Sequence, residues 1–271
     1  GIDLLKVLID RCHHHDMKFI ADIRMNDRHG DREGIMRDHP EWIILGTAND
    51  YALEEVRNMM LTFTQEVLDG YDVDGIEYDY MRWCHMFKPG EGQKNAHLLN
   101  DFTRKTRKLL DETAQRRGCD RLEFGVRVPQ SIAECDYLGF DLATWIKEGL
   151  VDYVVPMTYL YTVLDSNLPI DWMIEAAHNN DTSVYPMLQP FYTDEERYRY
   201  NLEAASPAMT RAAAANNWAR GADGHYTWFM KWPLGDAQRN TLSELGDRDV
   251  VAEGDKHYFL RRKGENEHDI D

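Results

Sequence analysis

The stretch VDGIEYDYMRW, residues 73–83, carries the strongest structural prediction in this sequence. Glu77 and Asp79 alternate in it with isoleucine and tyrosine residues, as expected for a buried strand, and Arg82 follows three positions later. An ionised carboxylate is costly to bury without a partner, because it loses its hydration. A fold therefore buries two of them on one strand mainly where a salt network or a chemical step uses them.

Helix and strand patterns alternate on both sides of this stretch. Each of six predicted strands has a helical segment before it; the strands are 18–26, 74–82, 122–129, 152–159, 182–190 and 224–232. Strands separated by helices pair in parallel through right-handed crossovers. The pattern predicts an α/β fold, a (β/α)8 TIM-type barrel whose first two strands lie upstream of residue 1. A doubly wound open sheet is the alternative, but the sequence lacks the glycine-rich phosphate loop typical of that fold.

Capping residues and pattern changes predict the boundaries of helices and domains. Asn49 or Asp50 is expected to cap the long helix that precedes VDGIEYDYMRW, and Ser206 to cap a helix that begins with proline. Residues 1–246 are predicted to form the barrel, as a domain of catalytic type. Residues 247–271 are predicted to be a C-terminal tail or the start of a following β module.

Bulk composition argues against two classes of partner. The 271-residue chain has a formal net charge of −17, which argues against nucleic acid, because phosphates need a basic face. No apolar run approaches the roughly 18 residues of a membrane-spanning helix, so membrane insertion is not expected. A disulfide between Cys84 and Cys135 is conceivable, although free thiols are the preferred interpretation. A secreted or periplasmic location is favoured over a cytoplasmic one, and the oligomeric state is left open.

Side-chain alternation on the first three predicted strands sends the apolar residues outward, under the helices, and the polar ones into the barrel. The predicted interior set is Asp22, Arg24 and Asn26 from 18–26, Glu77 and Asp79 from 74–82, and Arg127 from 122–129. Residues two apart on a strand are roughly 6.6 Å apart at Cα, near enough for two carboxylates to perturb each other. Repulsion and burial then raise one pKa, while an arginine holds another down.

Such an arrangement fits glycoside hydrolysis, which needs one protonated acid and one ionised base or nucleophile. Asp79, nearer the carboxyl end of its strand, is predicted to be the principal catalytic residue, with Glu77 as its partner. Glu134 and Asp136 are alternative acids on a loop. The alternative interpretation is a purely structural network of acids and arginines that closes the barrel floor.

Polar and aromatic side chains near the strand ends are predicted to contact a carbohydrate substrate. They are Arg24, Asn26, Arg82, Trp83, Arg127, Tyr159, Gln189 and Trp228. Aromatic rings can stack on pyranose faces, although they also fill cores. The arginines make an anionic sugar, a uronate or a sulfated one, a candidate substrate, unless they only neutralise the carboxylates.

Three motifs resemble the fourth, sixth and eighth strands of glycosidase-type TIM barrels: DVDGIEYDYMRW, VDYVVPMTYLY and GHYTWFMKW. The nearest resemblance is to poorly characterised bacterial glycosyl-hydrolase-like barrels with a "DGI…D" fourth strand and a "VDY(I/V)VP" sixth strand. It covers roughly residues 1–235. It implies a (β/α)8 barrel that binds or hydrolyses carbohydrate, in bacterial polysaccharide degradation, and that needs no metal or cofactor.

A more distant resemblance is to chitinase-like barrels, whose fourth strand reads D-G-x-D-x-D-x-E. Laid over DGIEYDYM, Glu77 and Asp79 take the two inner aspartate places, and Met81 takes that of the acid glutamate. Leu160 likewise stands where those enzymes have an aspartate after the tyrosine. The resemblance therefore implies that the proton donor of chitinase-type, substrate-assisted hydrolysis is missing.

Two further functional classes stay open. One is a non-catalytic carbohydrate-binding barrel, which the methionine at the acid position favours. The other is a metal-dependent hydrolase, whose ligands would lie on the first barrel strand. The consecutive His13, His14 and His15 do not favour it, because neighbouring helical side chains point about 100° apart and cannot converge on one ion.

Overall fold

The computed structural model describes residues 1–26, 34–158, 163–192, 203–228 and 233–259. Its helices in these ranges are α1 (Leu4–His14), α2 (Ile35–Asp38), α3 (Glu54–Gly70), α4 (Gly92–Arg117), α5 (Ile132–Leu138), α6 (Leu142–Lys147), α7 (Asp171–His178), α8 (Pro207–Arg220), α9 (Asp236–Leu245) and α10 (Arg248–Glu253), with a 3₁₀ turn at Pro40–Trp42. Its strands there are β1 (Ile20–Arg24), β2 (Ile43–Ile44), β3 (Ala48–Asn49), β4 (Gly75–Asp79), β5 (Glu123–Pro129), β6 (Tyr153–Met157), β7 (Ser183–Val184), β8 (Met187–Leu188), β9 (Phe191–Tyr192), β10 (Glu203–Ala204) and β11 (Tyr226–Thr227).

The chain divides into two compact units. The first comprises Gly1–Val128 and Ile132–Tyr153, and the second Pro129–Ser131 and Val154–Asp271. The domain boundary predicted at residue 246 stays a prediction. No helix in the described ranges is long and apolar enough to cross a membrane.

The first unit contains the parallel strands β1, β4 and β5, with β4 in the middle. Their register is in phase, so side chains of one face come together across the sheet. Asp22 lies beside Glu77 and Arg24 beside Asp79, while Arg127 flanks Asp79 on the other side. The structure therefore places acids and arginines next to each other, as the side-chain alternation in the sequence predicted.

The opposite face of β4 packs under the helices, as the apolar pattern predicted. The ring of Tyr78 stacks on Phe102 of α4, with ring centroids 5.5 Å apart. Its hydroxyl lies 2.8 Å from Thr64 Oγ1 of α3 and 3.1 Å from Thr106 Oγ1 of α4. Burial of this tyrosine, which is fully inaccessible to solvent, raises its pKa to about 12.

The predicted cap of the helix before β4 is wrong. Helix α3 begins after Leu53, which makes no side-chain capping hydrogen bond. Asp50 instead accepts a hydrogen bond from the backbone N–H of Ala52, in a turn that ends before the helix starts. Asn49 lies in the short strand β3. An aspartate forms such a turn and a helix cap through the same kind of bond, so the sequence alone did not separate them.

The second unit has its own apolar core and a parallel pair of short strands. Strands β8 and β11 pair in parallel, and Ser206 caps α8 as predicted, with Oγ accepting from the backbone N–H of Met209 at 3.2 Å. The core contains Leu164, Leu188, Met209, Ala213, Ala214, Leu245 and Val251, with Phe259 packed against it. Val251 of α10 thus belongs to this core and Phe259 packs against it, and residues 260–271 lie outside the described ranges.

Both buried cysteines of the first unit are thiols. Cys84 and Cys135 are each at most 2% exposed, and no disulfide joins them. Burial raises the pKa of the Cys135 thiol well above its ordinary value. The preferred interpretation of the sequence, free thiols, agrees with this structure.

Candidate active site

The guanidinium of Arg127 is the centre of a cluster of three carboxylates in the first unit. Its Nη1 lies 3.0 Å from Asp79 Oδ2, its Nη2 lies 2.9 Å from Asp22 Oδ2, and Nη2 also contacts Glu77 Oε1. We call Asp22, Glu77, Asp79 and Arg127 the carboxylate cluster. Glu77, Asp79 and Arg127 are each at most 2% exposed, whereas the Asp22 side chain is 39% exposed. Asp22 is therefore the member that solvent reaches.

Two further contacts orient the buried carboxylates. The Tyr153 hydroxyl donates to Glu77 Oε2 at 3.0 Å, and the backbone N–H of Met81 donates to Asp79 Oδ1 at 2.8 Å. Both oxygens of each buried acid consequently have a donor. Hydrogen bonds of this kind hold a side chain in one rotamer, which is what a reactive group requires.

The close approach of Tyr153 requires a glycine at position 125. A Cβ added to Gly125 would lie 2.0 Å from the Tyr153 ring, far inside van der Waals contact. The ring passes over this glycine to reach Glu77. Side-chain alternation along 122–129 puts Gly125 on the same face as Arg127, and this interior glycine was the one signal in the sequence for the approach of Tyr153.

We expect Gly125→Ala to lower the free energy of unfolding by about 1–3 kcal/mol, because the new methyl group displaces a buried aromatic ring. Urea denaturation measures this loss. Gly70→Ala is the matched control, since nothing lies within 4 Å of its added Cβ and it ends helix α3. That change should be neutral or stabilising by about 0.4–1 kcal/mol. Equal effects of the two substitutions would contradict the packing of Tyr153 on Gly125.

Burial raises the pKa values of both inner acids above their ordinary range. For Glu77 and for Asp79, loss of hydration is the largest cause, and the charge of Asp22 adds to the rise. The Arg127 guanidinium acts in the opposite direction on both without cancelling the effect. One guanidinium thus faces three carboxylates. The cluster takes up a proton more readily than isolated acids do, and this is a property that general acids share.

Asn26, a predicted substrate contact, has its amide engaged by the backbone. Its Nδ2 donates to the carbonyl oxygens of Trp83 at 3.2 Å and His85 at 2.8 Å, and its Oδ1 accepts from the N–H of Asn49 at 2.9 Å. The side chain is 1% exposed. The Asn26 side chain thus links the end of β1 to the segment after β4 through hydrogen bonds.

The remaining predicted contacts of the first unit differ in their exposure. Arg24 is exposed at the end of β1, and Arg82 and Trp83 are half-buried directly after β4. Arg127 is buried among the acids, so its contacts favour a positioning role over direct contact with substrate. Glu134 is half-buried and Asp136 exposed, and both lie on α5.

Gln189 and Trp228, the predicted contacts of the second unit, line one cavity there. Gln189 is 2% exposed and Trp228 is half-buried. Tyr159, the last predicted contact, lies outside the described residues, as does Leu160.

Within the described ranges, no group of three or more His, Cys, Asp or Glu side chains is arranged to hold a metal ion. His13 instead pairs with Asp74, with Nε2 and Oδ2 2.9 Å apart, and the hydrogen bond that this carboxylate accepts raises the pKa of the imidazole.

No family model and no curated protein matches the sequence. Solved structures do. A glycoside hydrolase family 18 N-acetylglucosaminidase from Paenibacillus barengoltzii aligns with a TM-score of 0.54 and 12% identity, over 89% of this chain and 86% of that chain. A chitinase-like agglutinin from Robinia pseudoacacia gives 0.57 and 12%, over 89% and 84%. A class V chitinase from Pseudomonas fluorescens gives 0.55 and 11%, over 87% and 83%.

At these identities the similarity is one of fold. The chain has an α/β TIM-type barrel fold, as the alternation of its helices and strands predicted. Its structural neighbours are chitinase-like barrels, in agreement with the more distant of the two resemblances. The nearer resemblance, to bacterial barrels with a "DGI…D" fourth strand, stays a prediction.

Proposed function

We propose, starting from this glycoside-hydrolase-like fold, that the chain cleaves glycosidic bonds of a poly- or oligosaccharide through Asp79 and Glu77. One observation supports this above others: the Arg127 guanidinium of β5 binds two buried acids with raised pKa values on β4. Asp79 is the last residue of that strand. In TIM-type barrels, the carboxyl ends of the strands carry the catalytic groups.

The two acids take different roles in this proposal. Asp79 acts as nucleophile or base, held by Arg127 and by the N–H of Met81. Glu77 is its partner acid, held by Arg127 and Tyr153. Arg127 and Tyr153 are positioning residues, because each acts through a carboxylate. Arg24 at the end of β1 and Arg82 directly after β4 are the arginines proposed to contact an anionic sugar, a uronate or a sulfated saccharide.

A non-catalytic carbohydrate-binding barrel is the second candidate. Met81 is 1% exposed and stands where chitinase-like barrels have the acid glutamate. Both inner acids already bind Arg127, as in a structural network. One structural neighbour is itself a chitinase-like agglutinin. These observations favour binding without turnover.

The test is a panel of neutral, uronate and sulfated polysaccharides incubated with the full chain. Mass spectrometry detects released products, and a glycan array detects binding. We expect product release from at least one polysaccharide. Binding without product on prolonged incubation would support the carbohydrate-binding candidate, and neither binding nor product would contradict both. Product release that a chelator abolishes would favour a metal-dependent hydrolase instead.

A further inference from the structure

Asp22 and Arg24 are the two charged side chains of β1, and both are accessible to solvent. They lie on the same face of the strand, two positions apart, so their Cα atoms are roughly 6.6 Å apart. The Asp22 side chain is 39% exposed and Arg24 is exposed as well, whereas Ile23 between them is buried. A ligand can therefore reach both charges from one side, within the first unit, without reaching the buried acids.

Arg24 lies next to Asp79, the proposed nucleophile or base. The two residues are partners in the register of β1 and β4. Burial raises the pKa of Asp79, and the charge of Arg24 is one of the effects that oppose this rise. A guanidinium presents parallel N–H donors that match a carboxylate. An anionic group that binds Arg24 is therefore held beside the end of the strand that carries Asp79.

Asp22 offers a ligand the opposite chemistry. Its Oδ2 accepts a hydrogen bond from Arg127 Nη2 at 2.9 Å, and among the described residues its Oδ1 accepts none. An ionised carboxylate only accepts hydrogen bonds, so a donor such as a hydroxyl suits Oδ1. A second anion does not suit it, because Glu77 and Asp79 already bind the same guanidinium.

We propose that the saccharide unit bound at this strand is a uronic acid, with its carboxylate on Arg24 and an unsubstituted ring hydroxyl on Asp22. A uronic acid carries both groups on one pyranose ring, so two neighbouring side chains of opposite charge bind both at once. The inference rests on the proposed function, and it narrows the substrate of that site from anionic saccharides in general to uronates.

A sulfated neutral sugar fits this pair of side chains less well. Each sulfate replaces the hydrogen of a ring hydroxyl, so it removes a donor that Asp22 can use. Near Asp22 the sulfate also meets a cluster in which one guanidinium faces three carboxylates. An unsulfated neutral sugar keeps the hydroxyl but offers no anion to Arg24. Uronates are the class of saccharide that uses both charges.

The test measures the binding of oligosaccharides of matched length to the full chain by calorimetry. Oligogalacturonate, oligomannuronate and oligoglucuronate are each used unmodified, with the carboxylates reduced to alcohols, and with the ring hydroxyls sulfated. We expect at least one unmodified uronate to bind, and each modification to weaken its binding at least about tenfold. Equal or tighter binding of its reduced or sulfated form, or no binding of any uronate, would overturn the inference.

Mass spectrometry of the same samples separates this inference from the proposed hydrolysis. Product release from a neutral or sulfated polysaccharide of the panel, without binding of a uronate, would overturn the inference and leave the proposed hydrolysis standing. Uronate binding with the expected ranking but without product would support the inference and contradict hydrolysis by Asp79 and Glu77.

Arg24→Gln removes the cation and keeps a long polar side chain. We expect the ratio between the affinities for the unmodified and the reduced uronate to fall to about one, because the carboxylate loses its partner. Arg11→Gln is the matched control, since Arg11 is an exposed arginine on α1 of the same unit, and it should keep the ratio of the parent. An unchanged ratio in Arg24→Gln would remove this arginine from the site.

Asp22→Asn removes a negative charge at nearly the same volume. We expect it to raise the affinity for the sulfated form, relative to the unmodified uronate, at least about tenfold, because an amide donates to a sulfate that a carboxylate repels. Asp10→Asn, at an exposed position of α1, is the matched control and should leave this ratio unchanged. The same ratio in Asp22→Asn as in the parent would show that Asp22 does not contact the sugar.

Discussion

Replacing Arg127 with methionine is expected to lower the free energy of unfolding by about 3–5 kcal/mol at neutral pH. The substitution leaves Glu77 and Asp79 buried, each at most 2% exposed, without the guanidinium that now binds both. Removing one partner of a buried ion pair is costly because the remaining charge has neither water nor a counter-charge. Urea denaturation of the variant and the parent measures the loss.

The loss of unfolding free energy in Arg127→Met should depend on pH, and the raised pKa values of Glu77 and Asp79 set the sign of this dependence. Burial raises the folded-state pKa values of Glu77 and Asp79 above those of the unfolded chain, which lie near about 4. Stability from these groups is therefore fully present below that pH and declines as pH rises through the folded pKa values. Arg127 lowers both pKa values, so its removal makes the decline larger. The difference between variant and parent should shrink at about pH 4.

Arg104→Met is the matched control for this stability measurement. Arg104 makes ion pairs with Asp101 and Glu148 on the surface of the first unit, and exposed pairs contribute little. Its loss should be much smaller than that of Arg127→Met. A loss in Arg127→Met that is as small as the control, or that is the same at acidic and neutral pH, would contradict the central place of Arg127 in the cluster.

Asp79→Asn is expected to reduce hydrolysis of the polysaccharide identified by the panel by about 10²–10⁴-fold, with the fold retained. An amide of the same shape keeps the packing, but it cannot serve as an ionised nucleophile or base. Initial rates measure the activity, and circular dichroism with thermal unfolding checks the fold. Asp101→Asn is the control, because Asp101 is an exposed acid outside the carboxylate cluster. Unchanged turnover in Asp79→Asn would remove Asp79 from its catalytic role.

Much of the site's composition was predictable from the sequence, because it follows from the two-residue period of a strand. Alternation correctly grouped Glu77 and Asp79 on one face of β4 and Tyr78 on the other. It also placed Asp22 and Arg127 among the interior residues, although Asp22 was not chosen as a site residue. Its exposure and its bond to Arg127 depend on a partner 105 positions away in the chain.

Other features of the site could not be predicted, because they depend on which side chains approach from elsewhere. The pattern marked Asn26 and Arg127 as polar strand residues suited to substrate. It could not show that three backbone groups occupy the Asn26 amide, or that three acids occupy the Arg127 guanidinium. Nor could it show Tyr153, which lies 76 positions after Glu77 and reaches it only because residue 125 has no side chain.

By itself, the sequence determined the alternation of the main helices and strands, the parallel pairing of β1, β4 and β5, and the face on which their polar residues lie, but not the short antiparallel pairs β2–β3 and β9–β10. These properties follow from local periodicity and from the short range of backbone geometry. Only the tertiary structure decided that three carboxylates meet one guanidinium and that solvent reaches Asp22 but not Glu77. Burial and hydrogen-bond partners are properties of groups distant in the chain, and no local pattern records them.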